Sequence, residues 1–332
     1  MKKVLVTGAT GFLGSHLAHK LKSLGHKVMA TGRDIKKAQT LKESDIEFLP
    51  LDLSDANDVL ELPLDVGWVF HCAALSSPWG RYKDFYSANV QATKNLCAHY
   101  EASDLGKFVY VSSPSIYTDF ISQLNVSEAS SLPKNNLNYY IETKKIAENI
   151  VDDFYLKGLP AITIRPQGII GAGDVSIFPR ILRSARKGVL PKIGSGCTHL
   201  DLTYVDNVVE ALICAASSDP RFNGQKYNIT NDEPVELYST IDGLLAQLGI
   251  AFKWRSLSVA RALAIASALE SVYGWLPKNF EPPLTRYSVC TFAFDRTLDI
   301  SRAKSDLGYA PKISIEQGLC HVLDHYKGIL RG

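Results

Sequence analysis

Three features of the sequence predict an α/β protein built on a doubly wound parallel sheet, with a smaller α/β lobe after it. Short β-rich runs alternate with helix-length segments through the first half of the chain. A glycine-rich turn directly follows the first of these runs, and the texture loosens after Arg165-Pro166.

Val4–Thr7, Lys27–Thr31, Glu47–Leu51, Trp68–Cys72, Phe108–Ser112 and Ala161–Arg165 read as strands, with helical patterns such as Leu13–Leu24 and Asn89–Ala102 between them. Strand, helix, strand in that order implies right-handed crossovers and a sheet covered on both faces. Beyond residue 166, Gly171, Gly173, Gly188, Gly194 and Gly196 punctuate short segments, and Pro277, Pro282 and Pro283 gather late in the chain. The expected division is a dinucleotide-binding domain over 1–165 and a smaller substrate-binding lobe over 166–332. No internal repeat is visible.

The 332 residues are 46% hydrophobic and 21% charged, ordinary values for a chain that folds throughout. Thirty-six basic and 34 acidic residues leave a net charge of +2, so no global field draws nucleic acid or an anionic membrane. A small-molecule partner is expected, and no nucleic acid. Cys72, Cys97, Cys197, Cys214, Cys290 and Cys320 form no CxxC pair, which argues for reduced, mostly buried thiols and against a zinc site. Met1-Lys2-Lys3 runs straight into a short apolar stretch with no secretory h-region, so a cytoplasmic location is expected.

Thr7-Gly8-Ala9-Thr10-Gly11-Phe12-Leu13-Gly14 stands between the first strand and the first helix, the setting in which glycines cradle a pyrophosphate. Gly8 would allow the tight turn, Gly11 the close approach of backbone N–H groups, and Gly14 the packing of helix on strand. Thr10, Phe12 and Leu13 complete the cradle of a Rossmann-type domain. The second strand ends at Gly32-Arg33-Asp34, where an acidic residue would hold the ribose of NAD. Gly32 takes that place and Arg33 can pair with a 2′-phosphate, which favours NADP(H) over NAD(H) unless Asp34 swings in. Asp52 and Leu53 are candidates for the adenine, or Asp52 is a helix-capping aspartate. Ala73 and Ala74 leave room for a ribose, and the neighbouring His71 reads as a packed core residue.

Tyr140 and Lys144 open a helical pattern that continues through Ile146, Ala147 and Ile150, one turn apart on one face. A tyrosine normally titrates near ~10, and a nearby ammonium would bring it down into a range useful for acid–base work. The strand before them ends in Ser112-Ser113-Pro114-Ser115, and strand ends are where an open α/β sheet places its ligand. Ser113 is the chosen hydroxyl of the three, with turn capping as its alternative role.

Together these residues resemble the extended short-chain dehydrogenase/reductase family, with its TGxxGxxG turn, its serine after the fifth strand and its YxxxK followed by Ala147-Glu148. The resemblance implies an oxidoreductase in which Tyr140 is the acid or base, Lys144 also holds the nicotinamide ribose, and Ser113 orients the substrate. It places Asn89 behind the site and Pro166 beside the nicotinamide. Arg165–Asp174, Leu202–Val208, Tyr227–Pro234, Pro283–Tyr287 and Asp306–Pro311 resemble the 3β-hydroxysteroid dehydrogenase branch, which includes 2-alkyl-3-oxoalkanoate reductases. Nucleotide-sugar epimerases and dehydratases share the fold and the Tyr/Lys pair, but carry Arg-Asp-Phe where this chain has Leu200-Asp201-Leu202. Leucine in place of that arginine points to an apolar hydroxy or keto substrate. Three further readings stay open: a cofactor-binding regulator without catalysis, a homodimer as in many relatives, and a lid, membrane-surface or core role for the apolar segment 258–276. Arg180, Arg183, Arg186 and Lys187 read as a solvated helix face or an attractor of acidic head groups.

Overall fold

Aliphatic and β-branched residues follow one another in the early strands with little polar alternation, as parallel strands do when helices cover both faces. A computed structural model of the chain describes residues 2–276 and 280–331, so Pro277 lies outside the described residues. Its main sheet has seven strands: β1 (Lys3–Thr7), β2 (Lys27–Gly32), β3 (Glu47–Pro50), β4 (Trp68–His71), β5 (Lys107–Val111), β6 (Ala161–Pro166) and β7 (Lys226–Ile229). They lie in the order β7-β6-β5-β4-β1-β2-β3, and every pairing is parallel.

The first six strands fall within a residue of the runs read from sequence, and the doubly wound fold is borne out. β7 was not expected: it is a four-residue strand lying well past β6. It pairs Asn228 with Arg165 and Ile229 with Pro166, so residues on both sides of the 165/166 division share one sheet. Strand order reverses between β1 and β4, which start from a common edge and run to a common end, and that crevice is where such sheets bind ligands.

Helices α1 (Phe12–Ser23), α2 (Tyr139–Leu156) and α3 (Val205–Ser217) cover the sheet. Val4 and Val6 point to one face, onto Leu17 and Leu21 of α1 and Val208 and Leu212 of α3. Leu5 points to the other, in a cluster with Leu96, Phe108, and Ala147 and Val151 of α2. Each such fully buried aliphatic side chain contributes about 1.5–3 kcal/mol. The helix expected over Asn89–Ala102 is α-helical only from Ala92 to Tyr100; before it, Tyr86–Gln91 winds as a π-helix.

Beyond this layer, Gln123–Val126, His199–Leu200, Val235–Glu236 and Arg296–Leu298 form a second, four-stranded sheet in which Leu200 is register partner of Arg296. Helices α4 (Val259–Tyr273) and α5 (Arg286–Ala293) pack on each other outside it. α4 is a surface helix and not a core one. It buries only Ala262 and Ala266, and Ile265 and Val272 stay 45% and 60% exposed. No helix among the described residues is long and apolar enough to cross a membrane. Of the cysteines expected to be mostly buried, Cys197 and Cys320 are exposed. Arg183, Arg186 and Lys187 are exposed, while Arg180 pairs with Glu281 at 2.9 Å.

Asp201 is almost completely buried, with Oδ2 accepting from the Leu298 N–H at 2.7 Å and Oδ1 meeting no donor. Burial pushes its carboxyl from 3.8 up to about 6, Leu298 works against this, and Asp232 adds to it. A native value above the unfolded one means that ionisation above pH 6 costs the folded state, by roughly 3 kcal/mol at about 1.4 kcal/mol per unit. Asp201→Asn keeps an acceptor for Leu298 and removes the charge. It should raise the melting temperature by a few degrees at pH 8, and the gain should shrink as the pH falls toward 4 in a thermal-shift series. An equal change at both ends would show that the buried charge is not the cause.

Candidate active site

Two glycines make the turn after β1 possible. Gly8 has φ +66°, and a Cβ on it would stand 2.7 Å from the Ala73 backbone, so the chains leaving β1 and β4 meet here. A Cβ on Gly14 would lie 2.4 Å from the Gly8 carbonyl, so α1 sits directly on the turn. Gly11 caps α1 without a side-chain partner, and no acidic residue stands in its first turn. The free N–H groups and positive end of α1 therefore open toward the crevice. A Cβ on Gly32 would fall 2.7 Å from Thr10 Oγ1, which brings the end of β2 against the same turn. Gly8, Thr10, Gly11, Phe12, Leu13 and Gly14 thus form a cradle that fits the pyrophosphate of a dinucleotide.

The flanking positions separate by burial. Arg33 is exposed, and Asp34 turns back on its own loop to accept from the N–H groups of Lys36 and Lys37 at 3.1 and 3.2 Å. Asp52 is held below the usual carboxylate range: the Ser54 N–H and hydroxyl and the Arg33 charge outweigh a burial effect of opposite sign. It does not cap the helix that follows; Asp55 does. Leu53 packs into the core beside Val59 and Leu62, where the sequence placed it against an adenine. Ala73 is half-buried, Ala74 exposed, and Pro166 closes β6.

His71 is fully buried between Thr7 Oγ1 at 2.8 Å and Thr93 Oγ1 at 2.9 Å, and Thr93 donates in turn to the Asn89 carbonyl at 2.6 Å. Burial first, and the Lys144 charge second, hold it down at about 3, so it stays neutral. Asn89 stands in the π-helix. Its Oδ1 accepts from the Leu75 N–H at 2.7 Å, and its Nδ2 donates to Leu75 O at 3.2 Å and Thr143 Oγ1 at 3.0 Å. The widened turn lets one side chain tie the loop after β4 to α2, a use such turns often serve.

Asn138 caps α2 by accepting from the Ile141 N–H at 2.9 Å, which sets Tyr140 in the first turn. The Tyr140 hydroxyl has Ser113 and Ser76 as hydrogen-bonding neighbours, yet burial prevails and raises it above 10. Lys144 does not lower it as expected. Its Nζ donates to the Val111 carbonyl at 2.7 Å and lies 4.4 Å from the centre of the Tyr110 ring, so its charge is spent at the end of β5. Burial pulls Lys144 down to about 7, against the upward pull of Glu148. Ser113 caps the turn Pro114–Tyr117, accepting from Ser115 N at 3.2 Å, and it is also a hydrogen-bonding neighbour of the Tyr140 hydroxyl.

Beneath these groups Arg165 of β6 forks onto Glu148 of α2, Nε to Oε1 at 2.9 Å and Nη2 to Oε2 at 2.5 Å, with both side chains buried. Arg165 Nη1 also donates to the Tyr117 hydroxyl, which donates to Asn228 Oδ1 of β7 at 3.1 Å. One network therefore joins α2, β6, the turn after Ser113 and β7. The structure brings Ser113, Tyr140, Lys144 and Asn89 together at the C-terminal ends of β4 and β5. Ser76 was missed, although it stands in a strand-end loop, the place where ligand-facing hydroxyls are sought.

A glycine cradle at the reversal of a parallel sheet, with a tyrosine one turn before a buried lysine at its edge, defines a nicotinamide-dependent oxidoreductase of the extended short-chain type. The chain belongs to the NAD dependent epimerase/dehydratase family, whose model matches residues 4–230. It is 33% identical to the 2-alkyl-3-oxoalkanoate reductase of Stenotrophomonas maltophilia, over 96% of this chain and 97% of that protein. It is 28% identical to the mouse (Mus musculus) sterol-4-alpha-carboxylate 3-dehydrogenase, decarboxylating, over 96% of this chain and 89% of that one. Among solved structures it shares the fold of the UDP-glucuronic acid 4-epimerase of Bacillus cereus in complex with NAD, with TM-score 0.78 and 23% identity over 98% of this chain and 99% of that one.

The Glu148–Arg165 pair yields a stability prediction. Removing one partner leaves the other as an uncompensated buried charge, a loss of about 3–5 kcal/mol, whereas replacing both with apolar residues is often far milder. Glu148→Met should thus unfold at markedly lower urea than Glu148→Met/Arg165→Met. Equal loss in the two variants would mean that the fork contributes as packing alone.

Proposed function

We propose that this chain reduces a ketone to a secondary alcohol, and runs the reverse oxidation, on an apolar substrate of the 2-alkyl-3-oxoalkanoate or 3β-hydroxysteroid type. The observation that carries the chemistry is the Tyr140 hydroxyl, set between Ser113 and Ser76 and raised above 10 by burial. A hydroxyl that keeps its proton at neutral pH is a proton donor, so Tyr140 protonates the substrate oxygen in the reductive direction. Ser113 donates to that same oxygen and fixes its approach, while Lys144, which donates to the Val111 carbonyl at the strand end, would hold the nicotinamide ribose. Asn89 is a positioning residue that keeps the loop after β4 and α2 in register. The bound cofactor supplies the hydride.

NADP(H) is the cofactor we favour, because Arg33 is exposed and close enough to the strand ends for its charge to act on Asp52, a place from which it can meet a 2′-phosphate, while Asp34 is occupied by its own turn. The substrate class is supported by the names of the two relatives, a reductase and a dehydrogenase of hydroxy or keto groups on apolar skeletons. It is supported also by Leu200, which is buried at the position where nucleotide-sugar enzymes carry a diphosphate-binding arginine, with Leu202 buried close behind it. In this reading residues beyond 166 supply the substrate-facing wall. Exposed Ile265, Val272 and Trp275, on and just after α4, are suited to a weak membrane-surface contact through 258–276.

A side-by-side screen of 2-alkyl-3-oxoacids, hydroxysteroids and UDP-sugars, read at the nicotinamide absorbance, tests the class. Turnover of UDP-sugars alone would overturn it. Tyr140→Phe should bind NADPH nearly as the parent does while losing about 100-fold or more in turnover, the usual worth of a positioned acid. Arg33→Ala should weaken NADPH binding far more than NADH, and equal losses would reject the 2′-phosphate contact.

A further inference from the structure

His16 stands where three chain segments meet. Ile170 and Tyr204 are register partners in a short parallel pair, so the loop 171–173 and the start of α3 leave that pair side by side. The loop lies on the first turn of α1: a Cβ on Gly171 would stand 3.1 Å from the Phe12 ring and 2.6 Å from Val205, which opens α3. His16 follows Phe12 by one helical turn and touches all three segments. Its ring packs edge-on to Phe12 with centres 5.4 Å apart, its Nε2 lies 3.1 Å from the Ala172 carbonyl oxygen, and its Nδ1 lies 3.4 Å from Asp206 Oδ1.

These two acceptors fix the charge that the geometry needs. A carbonyl only accepts, so Nε2 must carry a hydrogen to bond it, and the Asp206 carboxylate asks the same of Nδ1. A neutral imidazole has one N–H and serves one of them, whereas the imidazolium serves both. Burial works against the charged ring, but the Asp206 hydrogen bond, the Ala172 carbonyl and the Asp206 charge outweigh it and raise His16 above its ordinary 6.5. The other ionisable groups in the groove around His16 are His19 and Lys20 of α1, Glu210 of α3, and Lys312. Glu210 is paired with Lys312 at 2.7 Å, and His19 Nδ1 turns back to the Ser15 carbonyl at 2.8 Å. Asp174, next along the loop, accepts from the N–H groups of Ser176, Ile177 and Phe178. The carboxylate left to answer His16 is Asp206.

We propose that His16, as the imidazolium, is a positioning residue for the cofactor: it clamps the loop 171–173 and α3 onto the first turn of α1, whose N–H groups cradle the pyrophosphate. This inference rests on the dinucleotide reading of that cradle and adds a dependence on pH to it. Well below pH 6.5 the clamp is complete. As the pH rises through the raised His16 value, one of its two bonds is lost, the junction loosens, and the cradle binds less tightly.

The test measures NADP+ dissociation constants by calorimetry on the full chain, from about pH 5.5 to 9, a range that brackets a histidine, for the parent, His16→Gln and Asp206→Asn. Glutamine keeps an amide donor for Ala172 and never ionises. Its Kd should exceed the parent's by about two- to fivefold at the acid end, the worth of a partly exposed ion pair, and match it at the alkaline end. The ratio of the two cancels the titration of the ligand's own 2′-phosphate. In Asp206→Asn the fall in affinity should move to lower pH. By reciprocity, saturating NADP+ should raise the His16 midpoint, read by NMR on the parent, by about 0.3 to 0.7 of a pH unit, the same two- to fivefold factor. A Kd ratio that stays constant with pH, or a midpoint that NADP+ leaves in place, overturns the clamp and leaves the cofactor reading standing. Absence of binding of NADP+ and NAD+ at every pH removes that reading and the clamp with it. Should His16→Gln fail to fold, the NMR midpoint of the parent decides the matter.

Discussion

The fork between Arg165 and Glu148 is the contact on which the geometry of the site depends. Helix α2 carries Tyr140 and Lys144, yet it lies across the sheet on aliphatic side chains that would tolerate sliding by a fraction of a turn. Two parallel N–H···O bonds from β6 allow only one position. The same guanidinium reaches Tyr117, so the turn starting at Ser113 is held to the helix bearing Tyr140. A buried ion pair is weak evidence for stability, but a fork of two hydrogen bonds fixes where the helix bearing Tyr140 stands relative to the turn starting at Ser113. Lys226 of β7 adds a second cation 3.6 Å from Glu148, which ties in the strand that completes the sheet.

Fixing α2 in this way has an electrostatic consequence. Lys144 is held in a dry layer where its ammonium is costly, with a carbonyl and an aromatic face as its nearest compensation. Its value near 7 and the raised Tyr140 hydroxyl mean that the two groups do not form a preset ion pair. Burial keeps the proton on the Tyr140 hydroxyl. The same dry layer keeps His71 neutral, so its two threonine contacts serve to join β1, β4 and the helix after β4 and not to move protons.

Most of the main sheet was legible because its strands obey local rules: continuous apolar runs and a glycine turn where φ must be positive. β7 escaped since Lys226–Ile229 is short, alternates in polarity and gains its partners from β6, a long way back in sequence. The π-helix escaped for a related reason: nothing in Tyr86–Gln91 marks an extra residue per turn until Leu75 and Thr143 are seen to share Asn89. For the site, Tyr140, Lys144 and Ser113 could be named from spacing and strand ends, but the expected effect of Lys144 on Tyr140 could not. One helical turn brings two side chains to the same face, and only the tertiary position of Val111 and Tyr110 decides where the ammonium points. The core helix expected among the roles of 258–276 failed because a run of alanines and leucines can be a thin stripe on α5 as readily as a buried rod.

The second sheet brings together positions that are distant in sequence. Reading Leu200 alone, the loss of a cation suggests a pocket that binds by apolar area, at about 25 cal/mol per Å². The second sheet sets Leu200 in register with Arg296, and the Leu200 side chain packs with Leu202, Tyr204 and Leu237 in the core of the later part of the chain. The short strands His199–Leu200 and Arg296–Leu298 come from distant parts of the chain, so what stands beside Leu200 is set by tertiary pairing and not by its neighbours in sequence, whereas Tyr140 and Lys144 are brought together by one turn of a single helix.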